Sequence, residues 1–359
     1  MTLFVIPNFN GGGAERVFIN IANELTKMGQ NVEFLVLQDC GPLKKFLDKK
    51  IRIHSLKTDT LRRSIFKIHK ALYDLKPKNV LSTFGYVNIL LILIIRIYRM
   101  NSKLIIREAN MPSVSLRNNS YYLFFKFSYK FLYRFSDLII CSSETMKKEF
   151  IHNFNIKAIQ IKVLENPVNV DLIESHIKEG CQNHSSQLTK FVAIGRLSKQ
   201  KGFDRLINWF SEIDHSDAFL KIIGEGGEYK NLIALIRAKN LQSRVFIENF
   251  KENPWIEISC SNAVLIPSRW EGMPNIALEA LVCGTKIIAT NSSGGIGEIK
   301  EYIPDDNLNI VNNDNEFKNA MSHVIESSKS YAIKHSLKRN LLPNCFMVSE
   351  VARKLSQWL

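Results

Sequence analysis

This 359-residue sequence has no cysteine pair at two-residue spacing, no His/Cys/carboxylate cluster at metal-ligand spacing and no apolar run that could cross a bilayer. Each absence excludes something. The six cysteines, Cys40, Cys141, Cys181, Cys260, Cys283 and Cys345, are scattered. That argues against a disulfide framework or zinc site and for free, mostly buried thiols in a reducing compartment. The longest uncharged apolar run, Ile89 to Ile95, stops at Arg96, well short of the roughly 20 residues of a spanning helix. The N-terminus opens directly on the apolar residues Leu3 to Ile6 and Pro7, without the regions of a signal peptide. The cytosol, or the cytosolic face of a membrane, is the expected location. None of the eight histidines stands in a recognisable catalytic setting, and His54 and His69 read as surface residues.

With 45% hydrophobic and 23% charged residues the chain reads as globular, and its length suits two domains. The net charge of +14 is uneven: residues 1–165 hold 26 Lys+Arg against 12 Asp+Glu, and residues 166–359 hold 22 of each. The whole excess lies in the first half, which implies an anionic partner there. Nucleic acid is not the expected one, because no zinc motif, RNP-like run or base-reading basic helix is present.

Short β-rich runs alternate with longer helical ones, the pattern of parallel sheets covered on both faces. In the first half, strands are predicted at 3–6, 32–37, 79–82, 103–107 and 138–141, and helices at 14–28, 62–76, 88–99 and 121–134. A polar stretch from Asn166 to Lys190, with Pro167 and Gly180, reads as a linker. The alternation then restarts, with strands at 191–194, 219–223, 245–247, 263–266 and 286–289 and helices at 202–209 and 229–239. Two successive open α/β sheets imply a ligand cleft at the carboxyl ends of strands.

Three segments carry chemistry. Gly11-Gly12-Gly13 follows the first strand and opens a helix, where main chain can approach a ligand and helix amides favour a phosphate. The spacing is not that of a dinucleotide fingerprint, and a plain tight turn is the competing reading. In the second half Arg196 and Lys201 flank a short loop after a strand, suited to neutralising a diphosphate without a metal, with plain solvated loop cations as the competing reading. The run from Ser268 to Ala280 places Pro274 in the first turn of a helix and Gly284 at its end. Glu271 then lies in the preceding loop, the amides of Asn275 and Ile276 can bind a phosphate, and Glu279 can accept ribose hydroxyls; two surface charges are the competing reading of the glutamates by themselves.

The pieces GGGAERV, ENPV, GRLSKQKGFDRLI, GEG, SRWEGMPNIALEAL and GTKIIATNSSGG occur in the order found in retaining GT-B glycosyltransferases of family 4, which the sequence resembles over nearly its whole length. The resemblance implies two Rossmann-like domains facing a cleft: an acceptor-side domain over 1–168, with a C-terminal helix at about 346–359 packing back on it, and a nucleotide-sugar domain over 169–345. It implies that Arg196 and Lys201 hold the donor diphosphate, that Gly12 and Gly13 approach it, that Glu271 contacts the sugar, and that Glu279 contacts the ribose. The reaction implied is transfer, with retention, of a hexose or N-acetylhexosamine from a UDP-sugar to a glycan or lipid-linked glycan in surface polysaccharide synthesis. No cofactor or metal is expected. Pro274 stands where many relatives have glycine, which removes one amide and leaves phosphate binding to Asn275 and Ile276.

Glu108, ending a first-half strand in Arg107-Glu108-Ala109-Asn110, is the candidate for orienting the acceptor or taking its proton. An ion pair with Arg107 or Arg96 is the competing reading. The run from Tyr121 to Arg134 is rich in aromatics, with Lys126, Lys130 and Arg134 on one helical face, and Arg62, Arg63, Lys67 and Lys70 form a second stripe. Both suit an anionic membrane surface; a core helix with a solvated charged edge is the alternative.

Overall fold

The structure, a computed structural model, describes residues 1–58, 61–117, 121–180, 188–213, 216–292, 294–304, 306–330 and 340–359, without the side chains of 61–63, 115–117, 179–180 and 329–330. Cys181 and the side chains of Arg62 and Arg63 therefore lie outside the described residues. The chain forms two compact units, Met1–Val168 with Asn344–Leu359, and Asn169–Pro343.

The first unit is built on β1 (Thr2–Ile6), β2 (Val32–Val36), β3 (Arg52–Ser55), β4 (Asn79–Thr83), β5 (Lys103–Arg107), β6 (Leu138–Cys141) and β7 (Ile161–Val163). All pair in parallel, in the order β3-β2-β1-β4-β5-β6-β7. The strands are apolar on both faces because helices cover both. Phe4 and Ile6 face a cluster with Phe18, Phe34 and Leu355, while Leu3 and Val5 face one with Val80, Leu104 and Phe150.

The second unit holds β8 (Thr189–Ile194), β9 (Ala218–Ile223), β10 (Val245–Glu248), β11 (Ala263–Ile266), β12 (Lys286–Thr290) and β13 (Leu308–Val311). They form a parallel sheet in the order β10-β9-β8-β11-β12-β13. Each sheet reverses its order once, between β1 and β4 and between β8 and β11. Such switch points are where open α/β sheets bind ligands, at the carboxyl ends of the strands.

Several sequence readings need correction. The supposed linker contains a helix, Val170–Gly180, whose Val170, Ile173 and Ile177 recur at helical spacing and are buried in the second unit. The strands β3, β7 and β13 escaped notice because polar residues interrupt their short apolar runs, Arg52 and His54 in β3, Lys162 in β7 and Asn309 in β13. The aromatic helix ends at Phe131 and gives way to a tighter turn over Tyr133–Phe135. Tyr129 on the helix and Tyr133 in that turn are core, while Leu123, Phe124 and Phe127 are exposed. Of the described cysteines, Cys141 and Cys283 are buried but Cys40 and Cys345 are exposed, so the thiols are not mostly buried. His54 is no idle surface residue, since its Nε2 lies 2.6 Å from Glu33 Oε2 across the β2–β3 pair, and His69 stacks on Tyr98.

The helix Val348–Ser356 completes the first unit by packing against Gly13–Lys27 through Val351, Ala352 and Leu355. Leu355 is fully buried. Leu355→Ala should therefore cost about 2–4 kcal/mol, read as a lowered midpoint for the first unit in urea; a midpoint equal to wild type would show that the helix adds nothing to that core.

Candidate functional site

The second unit gathers four loops at the carboxyl ends of β8, β9, β11 and β12, and they approach so closely that main chain touches main chain. A Cβ on Gly224 would stand 1.9 Å from the carbonyl oxygen of Gly195, and one on Gly226 2.3 Å from that of Leu197. Gly202 adopts φ +70° with its Cα against the carbonyl of Pro267, and Gly294 adopts φ +64° against the carbonyls of Glu271 and Gly272. These positions exclude every side chain, and the last two also require a left-handed backbone. Backbone hydrogen bonds fix the stack, from Leu197 to Glu225, from Arg269 to Gln200 and from Gly295 to Gly272.

Into this frame come the charged groups. Lys201 runs its stem across the face of Gly195, its Cε only 3.0 Å from where a Cβ would stand, and its Nζ lies 2.5 Å from Glu271 Oε1. Glu271 is 5% exposed, and the same Oε1 accepts a 2.8 Å hydrogen bond from Ser268 Oγ. A buried carboxylate without a cation would be costly; here a cation and a hydroxyl meet it. Arg196 is exposed beside this pair and makes no ion pair among the described residues, which leaves it available to an anion.

The helix that follows runs Asn275–Val282 and begins one residue later than its sequence suggests. Pro274, at φ −74° and ψ 106°, is its extended cap rather than a first-turn residue. The amides of Asn275 and Ile276 belong to the first turn, which no intrahelical carbonyl reaches. Glu279 lies one turn further along the same helix and is half-buried. The structure thus brings Lys201 and Glu271 into contact and places Arg196, Asn275, Ile276 and Glu279 on the loops and helix of the same sheet edge.

Two features went unread in the sequence. Arg205, on the helix Phe203–Ser211, donates from Nε to the carbonyl of Pro267 at 2.7 Å and from Nη2 to that of Ser268 at 2.6 Å. Arg269 grips both oxygens of Asp204, at 2.7 and 2.6 Å, which holds the Asp204 carboxyl below its ordinary range. Both arginines staple the β11 loop to the helix after β8. Neither stands at a spacing that announces it, since the pairs are joined only by the fold.

In the first unit Gly12 caps the helix Gly13–Lys27 in extended conformation. The Glu15 carboxylate folds back over it, so that a Cβ on Gly12 would stand 2.1 Å from Glu15 Oε2. Glu15 is 8% exposed and occupies the third helical position, where an acidic side chain commonly caps the first amides. The Gly12–Gly13 turn therefore carries a carboxylate of its own.

Glu108 is buried and pairs with neither Arg96 nor Arg107. Its Oε1 accepts from Asn88 Nδ2 at 2.8 Å and from the Tyr133 hydroxyl at 2.5 Å, while Arg96 pairs with Asp137 and Arg107 donates to Asn166. Burial raises the Glu108 carboxyl above its ordinary value, and the bonds from Tyr133, Tyr129 and Asn88 and the charge of Arg107 only partly reverse this. A carboxyl raised on folding stabilises the fold fully below its ordinary pKa and loses that contribution as pH rises through the folded value. Glu108→Gln keeps the acceptor oxygen and removes the titration. Its melting temperature relative to wild type should therefore climb as pH rises from about 5 to about 8; a difference independent of pH would mean that Glu108 does not titrate on folding in that range.

The exposed apolar side chains Leu123, Phe124, Phe127, Phe131 and Phe135 line the outer side of the Tyr122–Phe131 helix and the turn after it. Lys126, Lys130 and Arg134 are exposed beside them, each over the ring of a neighbouring Tyr122 or Phe131. No helix among the described residues is long and apolar enough to cross a membrane.

Comparison with known proteins agrees with this architecture. Residues 11–172 match the family "Glycosyltransferase Family 4" and residues 179–342 match "Glycosyl transferases group 1". An uncharacterized glycosyltransferase of Haemophilus influenzae is 26% identical over 99% of this chain and 97% of its own. The N-acetylgalactosamine-N,N'-diacetylbacillosaminyl-diphospho-undecaprenol 4-alpha-N-acetylgalactosaminyltransferase of Campylobacter jejuni is 28% identical over 66% of this chain, a match spanning 64% of the relative. Among solved structures, Anabaena HepE in complex with UDP-glucose superposes with a TM-score of 0.80 at 18% identity, covering 99% of this chain and 98% of that one. With two parallel-sheet units and both halves matched, the chain belongs to the group 1 glycosyltransferases of GT-B fold.

Proposed function

We propose that the protein transfers a hexose or N-acetylhexosamine, with retention, from a UDP-sugar to a lipid-linked or otherwise anionic glycan in surface polysaccharide synthesis. The observation that carries this reading is the pairing of buried Glu271 with partly buried Lys201 beside the helix Asn275–Val282, at the switch point of the second sheet. Arg196, Lys201 and the amides of Asn275 and Ile276 supply positive charge for a departing diphosphate, so no metal is required for that task. Glu279 accepts the ribose hydroxyls and Glu271 a sugar hydroxyl. The bond from the sugar C1 to the diphosphate breaks, the acceptor oxygen bonds C1 on the same face, and its proton passes to the departing phosphate. The C. jejuni relative, named for a diphospho-undecaprenol acceptor, and HepE, held with UDP-glucose, support the classes of acceptor and donor.

A thermal-shift panel of UDP-, GDP- and ADP-sugars tests the donor, because a ligand that binds only the folded state raises its melting point. UDP-sugars should give the largest shift, unchanged by excess EDTA. Glu279→Ala should lose most of it, since a hydroxyl–carboxylate bond contributes about 1–3 kcal/mol. A wild-type shift in Glu279→Ala would remove Glu279 from the site, and dependence on manganese would remove the metal-free reading.

The first unit, with the whole charge excess, is assigned the acceptor and an anionic leaflet on the cytoplasmic side. Each cation near such a leaflet contributes about 1 kcal/mol, and the exposed aromatics of the Tyr122–Phe131 helix add burial. Combined Lys126→Glu, Lys130→Glu and Arg134→Glu should release the protein from anionic liposomes and spare transfer to a short soluble acceptor. Sedimentation like wild type would show that this helix is not the contact; a wild type that ignores such liposomes at physiological salt would end the membrane reading.

A further inference from the structure

We infer that Ser268 is a positioning residue that decides which oxygen of Glu271 meets the donor sugar. The inference rests on the reading of the second unit as a sugar-nucleotide site and deepens it. Ser268 is 1% exposed, and its hydroxyl donates to Glu271 Oε1 at 2.8 Å. The same oxygen takes Lys201 Nζ at 2.5 Å, so both local donors converge on Oε1. Oε2 of this buried carboxylate makes no hydrogen bond among the described residues. A carboxylate has acceptor capacity on both oxygens. With Oε1 committed to the protein, Oε2 is the one left for a ligand hydroxyl.

The serine can impose this choice because it is itself held from three directions. Its carbonyl accepts from Arg205 Nη2 at 2.6 Å, Thr290 Oγ1 at 2.7 Å and Ser292 Oγ at 2.9 Å. Arg205 also takes the preceding carbonyl of Pro267, so the guanidinium fork spans two successive peptides. Gly202 lets that fork in, since a Cβ there would stand 3.0 Å from Arg205 Nε. The order of control runs from Arg205 to the Ser268 backbone, then through the Ser268 hydroxyl to the orientation of the Glu271 carboxylate. Lys201 alone would not fix that orientation, because an ammonium is a point charge that either oxygen can meet.

The test separates sugar binding from nucleotide binding. Calorimetry on the full chain measures Kd for UDP and for the UDP-sugar that stabilises the wild type most, and the ratio of the two reports the sugar's share. Ser268→Ala removes one oxygen, and should leave the UDP Kd within about twofold while shifting the ratio about tenfold against the sugar. In a Glu271→Ala background the same substitution should shift the ratio no further, because its effect passes through that carboxylate. Equal weakening of both ligands, an unchanged ratio, or a full additional loss in the double variant each overturns the inference. A wild type that binds no UDP-sugar instead overturns the reading of the site, so the two failures are distinguishable.

Discussion

The carboxylate of Glu271 sits at the end of a parallel sheet where almost no water reaches it, and it must be met by protein groups. A buried charge left alone costs several kcal/mol. Meeting it means bringing Lys201 from the β8 loop and Ser268 from the end of β11 to one oxygen. That convergence sets the spacing of the loops, and the spacing dictates the residues that pave them. Gly195 is bare because the Lys201 stem crosses it, and Gly202 and Gly294 are bare because carbonyls of the β11 loop lie against them. Arg205 and the Asp204–Arg269 pair then hold the loop from behind. Remove the requirement to bury one carboxylate and most of these local restrictions lose their reason.

The two units present their chemistry differently. In the second it resides in loops of main chain, stapled by arginines. In the first, the edge of the sheet is closed over a polar interior in which Glu108, Asn88, Tyr129 and Tyr133 bind one another. What the first unit offers outward is a surface: exposed Phe124, Phe127 and Phe131 with Lys126, Lys130 and Arg134 alongside. Of the described cations in the first half only Arg107 is buried, so the charge excess is carried at the surface rather than in a buried site.

Much of the fold was legible in the sequence because parallel strands buried on both faces read as plain apolar runs, as at Leu138–Cys141 and Ala263–Ile266. The short edge strands β3 and β13 were not, since Arg52–Ser55 carries an arginine and a histidine, and Leu308–Val311 an asparagine in mid-strand. The helix Val170–Gly180 hid behind polar neighbours although its Ile173 and Ile177 keep helical spacing. For the site, Lys201, Glu271 and Glu279 could be singled out by their motifs. The partners of Glu108 could not, because Asn88 and Tyr133 are about 20 residues away on either side, as their separations of 20 and 25 show, and only the packing of helices on one sheet face brings them in. Ser268 and Arg205 lay inside quoted motifs, yet their roles depend on backbone carbonyls, which no sequence displays.

The return of residues Asn344–Leu359 to the first unit bears on how the chain is made. Val168 and Met347 lie side by side in a parallel bridge, so the chain leaves the first unit and re-enters it at one place. During synthesis the apolar side of Gly13–Lys27 that receives Val351, Ala352 and Leu355 must wait, uncovered, until the entire second unit has been translated. The first unit is begun first and closed last. A nascent chain stalled anywhere before Val348 would carry an open hydrophobic seam, a natural grip for a chaperone and a hazard for aggregation.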